Sequence, residues 1–159
     1  MDGITILLAV IISGLFAAPF VLAAYNKKQT KSKYQQALSQ SWPGKSLSLD
    51  AYDNWNGYAI GLDSRQQLLA YIRFDGEVAV EKQLVELAQF DSCNIRQETE
   101  TADTGHRSTK RLGLQLSPRQ LGSAAPCYLL FYDASANFML SGELELTNKW
   151  SKIIRETMG

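Results

Sequence analysis

The sequence predicts an α+β chain that is mainly β. A single N-terminal transmembrane helix is followed by an antiparallel barrel or bent sheet of six to seven strands, capped by a C-terminal amphipathic helix. Three observations carry this reading. No charged residue occurs between Ile4 and Tyr25. Apolar residues alternate with a period of two in most segments from Tyr58 onward. Leu146, Trp150, Ile153, Ile154 and Met158 recur on one helical stripe. The expected divisions are an anchor at 1–25, a basic juxtamembrane segment and linker at 26–56, and a soluble domain at 57–159.

An uncharged run of about 22 residues, rising roughly 1.5 Å per residue, is long enough to cross a hydrocarbon core of about 30 Å. The rival is a cleaved signal peptide, since Val21-Leu22-Ala23 has the look of a small-residue cleavage motif. The leading "MDG" carries no Lys or Arg, and the run exceeds the usual ~7–15 apolar residues. An uncleaved anchor is therefore favoured. Asp2 is the only ionisable side chain before it, whereas Lys27, Lys28, Lys31, Lys33 and Lys45 follow, with no acid until Asp50. Basic residues stay on the cytoplasmic side of a span. The expected placement is the bacterial inner membrane, N-terminus out and domain in the cytoplasm. Lys27, Lys28, Lys31 and Lys33 would set topology and lie at the membrane surface, where anionic head groups attract them. Gly14 and Pro19 read either as a helix–helix contact or, preferred, as a slight bend.

Beyond the juxtamembrane stretch roughly 110 residues remain, enough for one core. Residues 46–159 hold 11 Lys/Arg against 15 Asp/Glu, a net charge of −4. An acidic domain binds polyanions poorly, so nucleic acid is not an expected partner. Cys93 and Cys127 read as reduced core thiols in a cytosolic domain, or as one bridge if the topology is reversed. With His106 alone they cannot complete a four-ligand zinc site. No metal or cofactor is expected.

Along the chain, Tyr34, Leu38 and Trp42 share a narrow helical face that Pro43-Gly44 terminates. That face suits either the head-group region or packing on the domain. Residues 43–56 read as a linker, with a short strand around Leu47–Leu49. "YAIGLD" places Tyr58, Ile60 and Leu62 on one face, "DSRQ" turns, and "LLAYIRF" groups Leu68, Ala70, Ile72 and Phe74. Asp75-Gly76 is a hairpin signal, and "VAV" at 78–80 a short strand. "QLVEL" reads as a helical turn entering a strand from Phe90 to Ile95, whose opposite parities imply a bulge. Residues 97–110 read as a long exposed hairpin loop. Leu112, Leu114 and Leu116 alternate, "CYLLFYD" is apolar on both faces, and "FML" reads as a last strand. Ser141 is the expected N-cap of the final helix, with Glu143 and Glu145 in its first turn.

The segments "YAIGLDSRQQLLAYIRF", "QLVELAQFDSCNIRQE", "RLGLQL", "CYLLFYD" and "NKWSKIIRETM", in that order, resemble small bacterial pleckstrin-homology-like domains of uncharacterised type. The resemblance covers about residues 57–158. It implies a binding or scaffolding module and no catalytic residues. Lipid-binding members use a basic loop between the first two strands; the corresponding "DSRQQ" holds Arg65 alone beside Asp63, so that pocket is not carried over.

The remaining candidates are weighed one by one. His106, the single histidine, lies in a polar stretch unsuited to holding an attack geometry. Arg107, Lys110 and Arg111 are possible contacts for an acidic partner or anionic lipid. Asp53, Trp55 and Tyr58 read as a binding-site lining or, preferred, as packing. No enzyme is expected. The leading expectation is a single-pass anchored scaffold that recruits a protein partner into a membrane complex. The alternative is a peripheral sensor of anionic lipid head groups.

Overall fold

Asn56-Gly57 and Gly76-Glu77 make two of the tight turns that fold the first half of the domain. Asn56 and Gly57 both have positive φ, 39° and 80°, as a two-residue hairpin requires. Gly57 also lies under the Phe74 carbonyl, 3.0 Å from where a Cβ would sit. The computed structural model describes residues 33–101, 105, 107–120, 124–137 and 139–159. The chain divides into two units, 1–37 and 38–159. Among the described residues no helix is long and apolar enough to cross a membrane. The expected anchor at Ile4–Tyr25, and Lys27, Lys28 and Lys31 after it, lie outside them.

Residues 33–40 are helical (α1). Among the described residues seven strands follow: β1 Ala51–Trp55, β2 Tyr58–Asp63, β3 Leu68–Asp75, β4 Val78–Glu86, β5 Phe90–Thr101, β6 Arg107–Pro118 and β7 Cys127–Asp133. A 3₁₀ turn at Leu87–Gln89 joins β4 to β5, and helix α2, Glu143–Met158, ends the chain. The strands form two antiparallel sheets, β1-β2-β3-β4 and β5-β6-β7. The expected mainly β chain with a C-terminal helix is what the structure has.

The core lies between the sheets and α2. Ile60, Leu62, Leu69 and Tyr71 from the first sheet meet Leu114, Leu116, Leu129 and Phe131 from the second, with Trp150 and Ile154 of α2. The Trp150 indole N–H donates to Asp53 on β1, 2.8 Å, while Arg155 reaches the Cys93 carbonyl on β5, 2.7 Å. The helix thus bridges one strand of each sheet. Its buried face, Glu143, Thr147, Trp150, Ser151 and Ile154, is flanked by the partly buried Leu146, Ile153 and Met158. That reproduces the expected stripe and adds three polar residues to it.

Several expectations are corrected. Ala51–Trp55, expected in a linker, is a strand paired with β2 from Ala51↔Leu62 to Trp55↔Tyr58. Its five residues are all half-buried, so no period-two contrast marks them. On β3, Leu69 and Tyr71 face the core between the sheets, and Leu68, Ala70 and Ile72, the set grouped on one face, are buried on the other side. Both faces of β2 are buried, and the second is covered at Gly61 by Leu38 and Leu49, within 3.2 Å of where a Cβ would be. The segment after α1 is therefore part of the packed unit, and Leu47–Leu49 form no strand. The helical turn expected at 83–87 falls at Leu87–Gln89, because Gln83 to Glu86 continue the ladder with β3. Residues 97–101 and 107–110, expected in a loop, are strands; Thr side chains suit an exposed ladder as well as a turn. Met139 and Leu140 are not in a strand, and Phe138 lies outside the described residues. The N-cap is Gly142 at φ 86°, not Ser141, with no side-chain cap bond; the Leu146 N–H donates to the Gly142 carbonyl, 3.0 Å, and Glu143 accepts from the Ser141 backbone N–H. The bulge expected between Phe90 and Ile95 is present, as a register shift between Phe90 and Ser92.

Candidate functional site

The β1–β2 turn, the β3–β4 hairpin and the loop after β7 meet at one end of the domain. They enclose an open cleft of about 380 Å³, lined by Asn56, Tyr58, Arg73, Asp75, Val80 and Asn137 among others. Each wall is fixed by a local interaction. The Phe74 N–H donates to the Gly57 carbonyl, 2.7 Å, tying the turn to β3. Val80 is the extra residue where the β3–β4 register shifts after Arg73, and such a bulge re-aims its side chain. Asp133 accepts from the Ser135 N–H, 2.9 Å, and its carbonyl accepts from Ala136 and Asn137, which builds the third wall. The Ser135 bonds, with Arg111 beyond them, hold the Asp133 carboxyl below its ordinary range despite partial burial.

The cleft lining is mixed, with Tyr58, Phe74 and Val80 beside Asn56, Arg73, Asp75 and Asn137. Arg73 is paired with Glu81 at 3.1 Å, so its charge is largely met. Tyr58 is pushed above its usual pKa by burial and acts as floor. In the lining, Val80 is 51% exposed, and Val78 on the same hairpin is 67% exposed; Met139 in the loop after β7 and Leu144 on α2 are exposed to 71% and 40%. Exposed apolar side chains beside a cleft, as Val78 and Val80 are, suit contact with another macromolecule. The sequence signal for this was thin: Val78 and Val80 read as a short strand, and nothing marked them as outward-facing.

The expected contact residues are placed as follows. Lys33 is exposed in α1. Arg107 is exposed at the start of β6, opposite Thr101. Lys110 lies 3.9 Å from Glu100, and Arg111 is 3.1 Å from Asp133. The three share the outer part of the β5–β6 hairpin, but two of them face acids and form no free basic cluster. His106 lies outside the described residues. Of Asp53, Trp55 and Tyr58, Tyr58 lines the cleft and the other two make packing contacts. Trp55 stacks on Phe131 at 4.6 Å and donates to the Phe131 carbonyl, 2.8 Å, while Asp53 accepts from Trp150 and Lys149.

The cysteines are free. Cys93 on β5 and Cys127 on β7 flank the same residue, Leu116 on β6. Two strand spacings separate their backbones by roughly 10 Å, beyond the ~7 Å a disulfide bridges. The alternative of one bridge between them does not fit this geometry. Burial pushes each thiol up to about 11, so neither is a ready nucleophile at neutral pH. Among the described residues no three His, Cys, Asp or Glu groups converge as metal ligands.

Asp63, at the β2–β3 turn, is buried to 1% exposure. It accepts from the Ser48 N–H at 2.8 Å and from the Gln66 backbone and side chain at 3.0 and 2.7 Å. Burial alone would raise its pKa, but these donors outweigh it and the carboxyl is held low. This cluster is a fastening for residues 46–50. Comparison with protein-family profiles, characterised proteins and solved structures finds no match to this chain.

Proposed function

We propose that the chain is a membrane-anchored binding module, in which a pleckstrin-homology-like domain recruits a protein partner through this cleft. The observation that carries the binding role is the exposed apolar pair on the β3–β4 hairpin, Val80 in the cleft lining and Val78 beside it, exposed to 51% and 67%. Burying such side chains contributes roughly 25 cal/mol per Å² of apolar surface. The four-strand and three-strand sheets with a helix bridging β1 and β5 support the pleckstrin-homology-like assignment. The uncharged run from Ile4 to Tyr25 and the lysines that follow it support the anchor and a cytoplasmic domain.

The test is purification of the full-length chain from membranes in mild detergent. A reproducible partner is expected, lost from Val78→Asp and Val80→Asp chains whose thermal unfolding is unchanged. Partner recovery that ignores both substitutions would reject the cleft as the contact. A topology reporter fused after Gly159 should read cytoplasmic; a periplasmic signal would reject the orientation. The lipid-sensor alternative has less support, because Lys110 and Arg111 already face Glu100 and Asp133. Salt-sensitive binding of residues 38–159 to anionic vesicles would favour it instead.

A further inference from the structure

The β5–β6 hairpin extends past the core, and its outer strand has a free edge. Among the described residues, β5 pairs with β6 alone and no strand lies on its other side. Arg155 of α2 closes that edge at Cys93. Beyond it the strand opens to solvent, with Arg96 through Thr101 all exposed. Unpaired backbone N–H and C=O groups on such an edge are a template for another strand. Charges ordinarily deter such pairing, yet here their signs alternate. On the outer face run Asn94, Arg96, Glu98 and Glu100; Ile95, Gln97 and Thr99 point the other way.

We propose that β5 pairs antiparallel with β5 of a second copy of this chain, about a two-fold axis at Gln97. A two-fold axis normal to the sheet places side chains of the same face opposite one another, so each register is centred on a residue. Centring on Arg96 opposes two arginines, and centring on Glu98 opposes two glutamates. Centring on Thr99 sets Glu98 against Glu100 twice. Centring on Gln97 sets Arg96 against Glu98 of the other copy and Glu98 against its Arg96, with Asn94 facing Glu100. Every outer-face charge in that register meets an opposite charge or an amide, and opposite-charge pairs directly across a ladder are favourable. The ladder then runs from Ile95 to Thr99 in both copies and stops short of the position that Arg155 holds. Arg96 now donates through Nε to Gln115 on β6, 2.6 Å, and its exposed side chain would turn outward to meet Glu98 of the other copy. The product is a continuous six-stranded sheet across two chains. This reading is independent of the cleft and of the membrane anchor.

The test is oxidative cross-linking of the full-length chain carrying Gln97→Cys. Opposed residues in an antiparallel ladder lie roughly 4.5–5.5 Å apart at Cα, within disulfide reach. Thr109→Cys, on β6 opposite Thr99, would sit about 20 Å from its copy and serves as the blank. A linked dimer is expected from Gln97→Cys and not from Thr109→Cys. Adding Arg96→Glu or Glu98→Arg to Gln97→Cys should each reduce linking by about fivefold or more. Mixing these two reversed chains under different tags should restore it, as a heterodimer, because each reversal complements the other. A folding defect could not be rescued in trans. Linking at 97 no greater than at 109, linking undiminished by either reversal, or no heterodimer from the mixture would each overturn the proposal.

Discussion

Replacing Asp53 by Ala should loosen the contact between α2 and β1, and the structure sets the size of the effect. One carboxylate oxygen of Asp53 accepts from the Trp150 indole at 2.8 Å and from Lys149 at 2.7 Å. Trp150 is 0% exposed, whereas the Lys149 side chain is 53% exposed. The exposed ion pair is worth at most about 1 kcal/mol. The hydrogen bond to the buried indole is charge-assisted, about 1.5–3 kcal/mol, and removing the acceptor leaves an indole N–H without a partner. Asp53→Ala should therefore destabilise by about 2–4 kcal/mol, and Asp53→Asn, which keeps a neutral acceptor, by about 1 kcal/mol. Lys149→Ala should stay under about 1 kcal/mol. Urea denaturation of residues 38–159 measures all three. Equal effects of Asp53→Ala and Asp53→Asn would refute the reasoning, since they would mean that the indole N–H needs no acceptor there.

Gly113 is the second sensitive point. A Cβ there would lie 2.4 Å from the Leu129 carbonyl oxygen and 2.6 Å from the Tyr128 ring, so Gly113→Ala should destabilise by about 1–3 kcal/mol or more. Tyr128 can swing away but a ladder carbonyl cannot, so adding Tyr128→Ala should not restore stability; full rescue in urea would contradict this. Acid should unfold the domain partly through Asp63. Its folded pKa lies below an unfolded value near 3.9, so its contribution is complete above about pH 5 and is lost as pH falls through the folded value. The urea midpoint should drop between pH 5 and 3, and less steeply in Asp63→Asn; parallel profiles would count against the assignment. Finally, with both thiols raised to about 11, a thiol reagent at pH 8 should label the folded chain slowly and the unfolded chain at once. Rapid labelling of the native chain would show the thiols to be accessible.

The sequence made legible those elements whose periodicity is uniform. α2 could be read because Leu146, Trp150, Ile153, Ile154 and Met158 share one face of 16 consecutive helical residues, and β6 because three leucines alternate. β1 was hidden because it is short and half-buried throughout. In β3 the face toward the other sheet was not legible, because Leu68, Ala70 and Ile72 are as buried as Leu69 and Tyr71, and a pattern with two apolar faces does not say which one meets the other sheet. The Thr-rich ends of β5 and β6 looked like loop because polarity was read as irregularity. The cleft was least legible of all. Its walls come from turns far apart in sequence, and it depends on a bulge at Val80 and a turn organised by Asp133, neither of which leaves a periodic trace.

The packing of Leu38, Leu47 and Leu49 has a bearing on reach. A free tether spanning residues 38–50 would let its ends drift apart by about 20 Å. In this chain the same stretch is pinned, with two leucines at 0% and 4% exposure and Asp63 and Asp50 holding Ser48 and Ser64. It has no slack to pay out, so the domain cannot swing on it in search of a target. Residues 38–50 therefore belong to the domain's own fold and add nothing to the length of any linker before it.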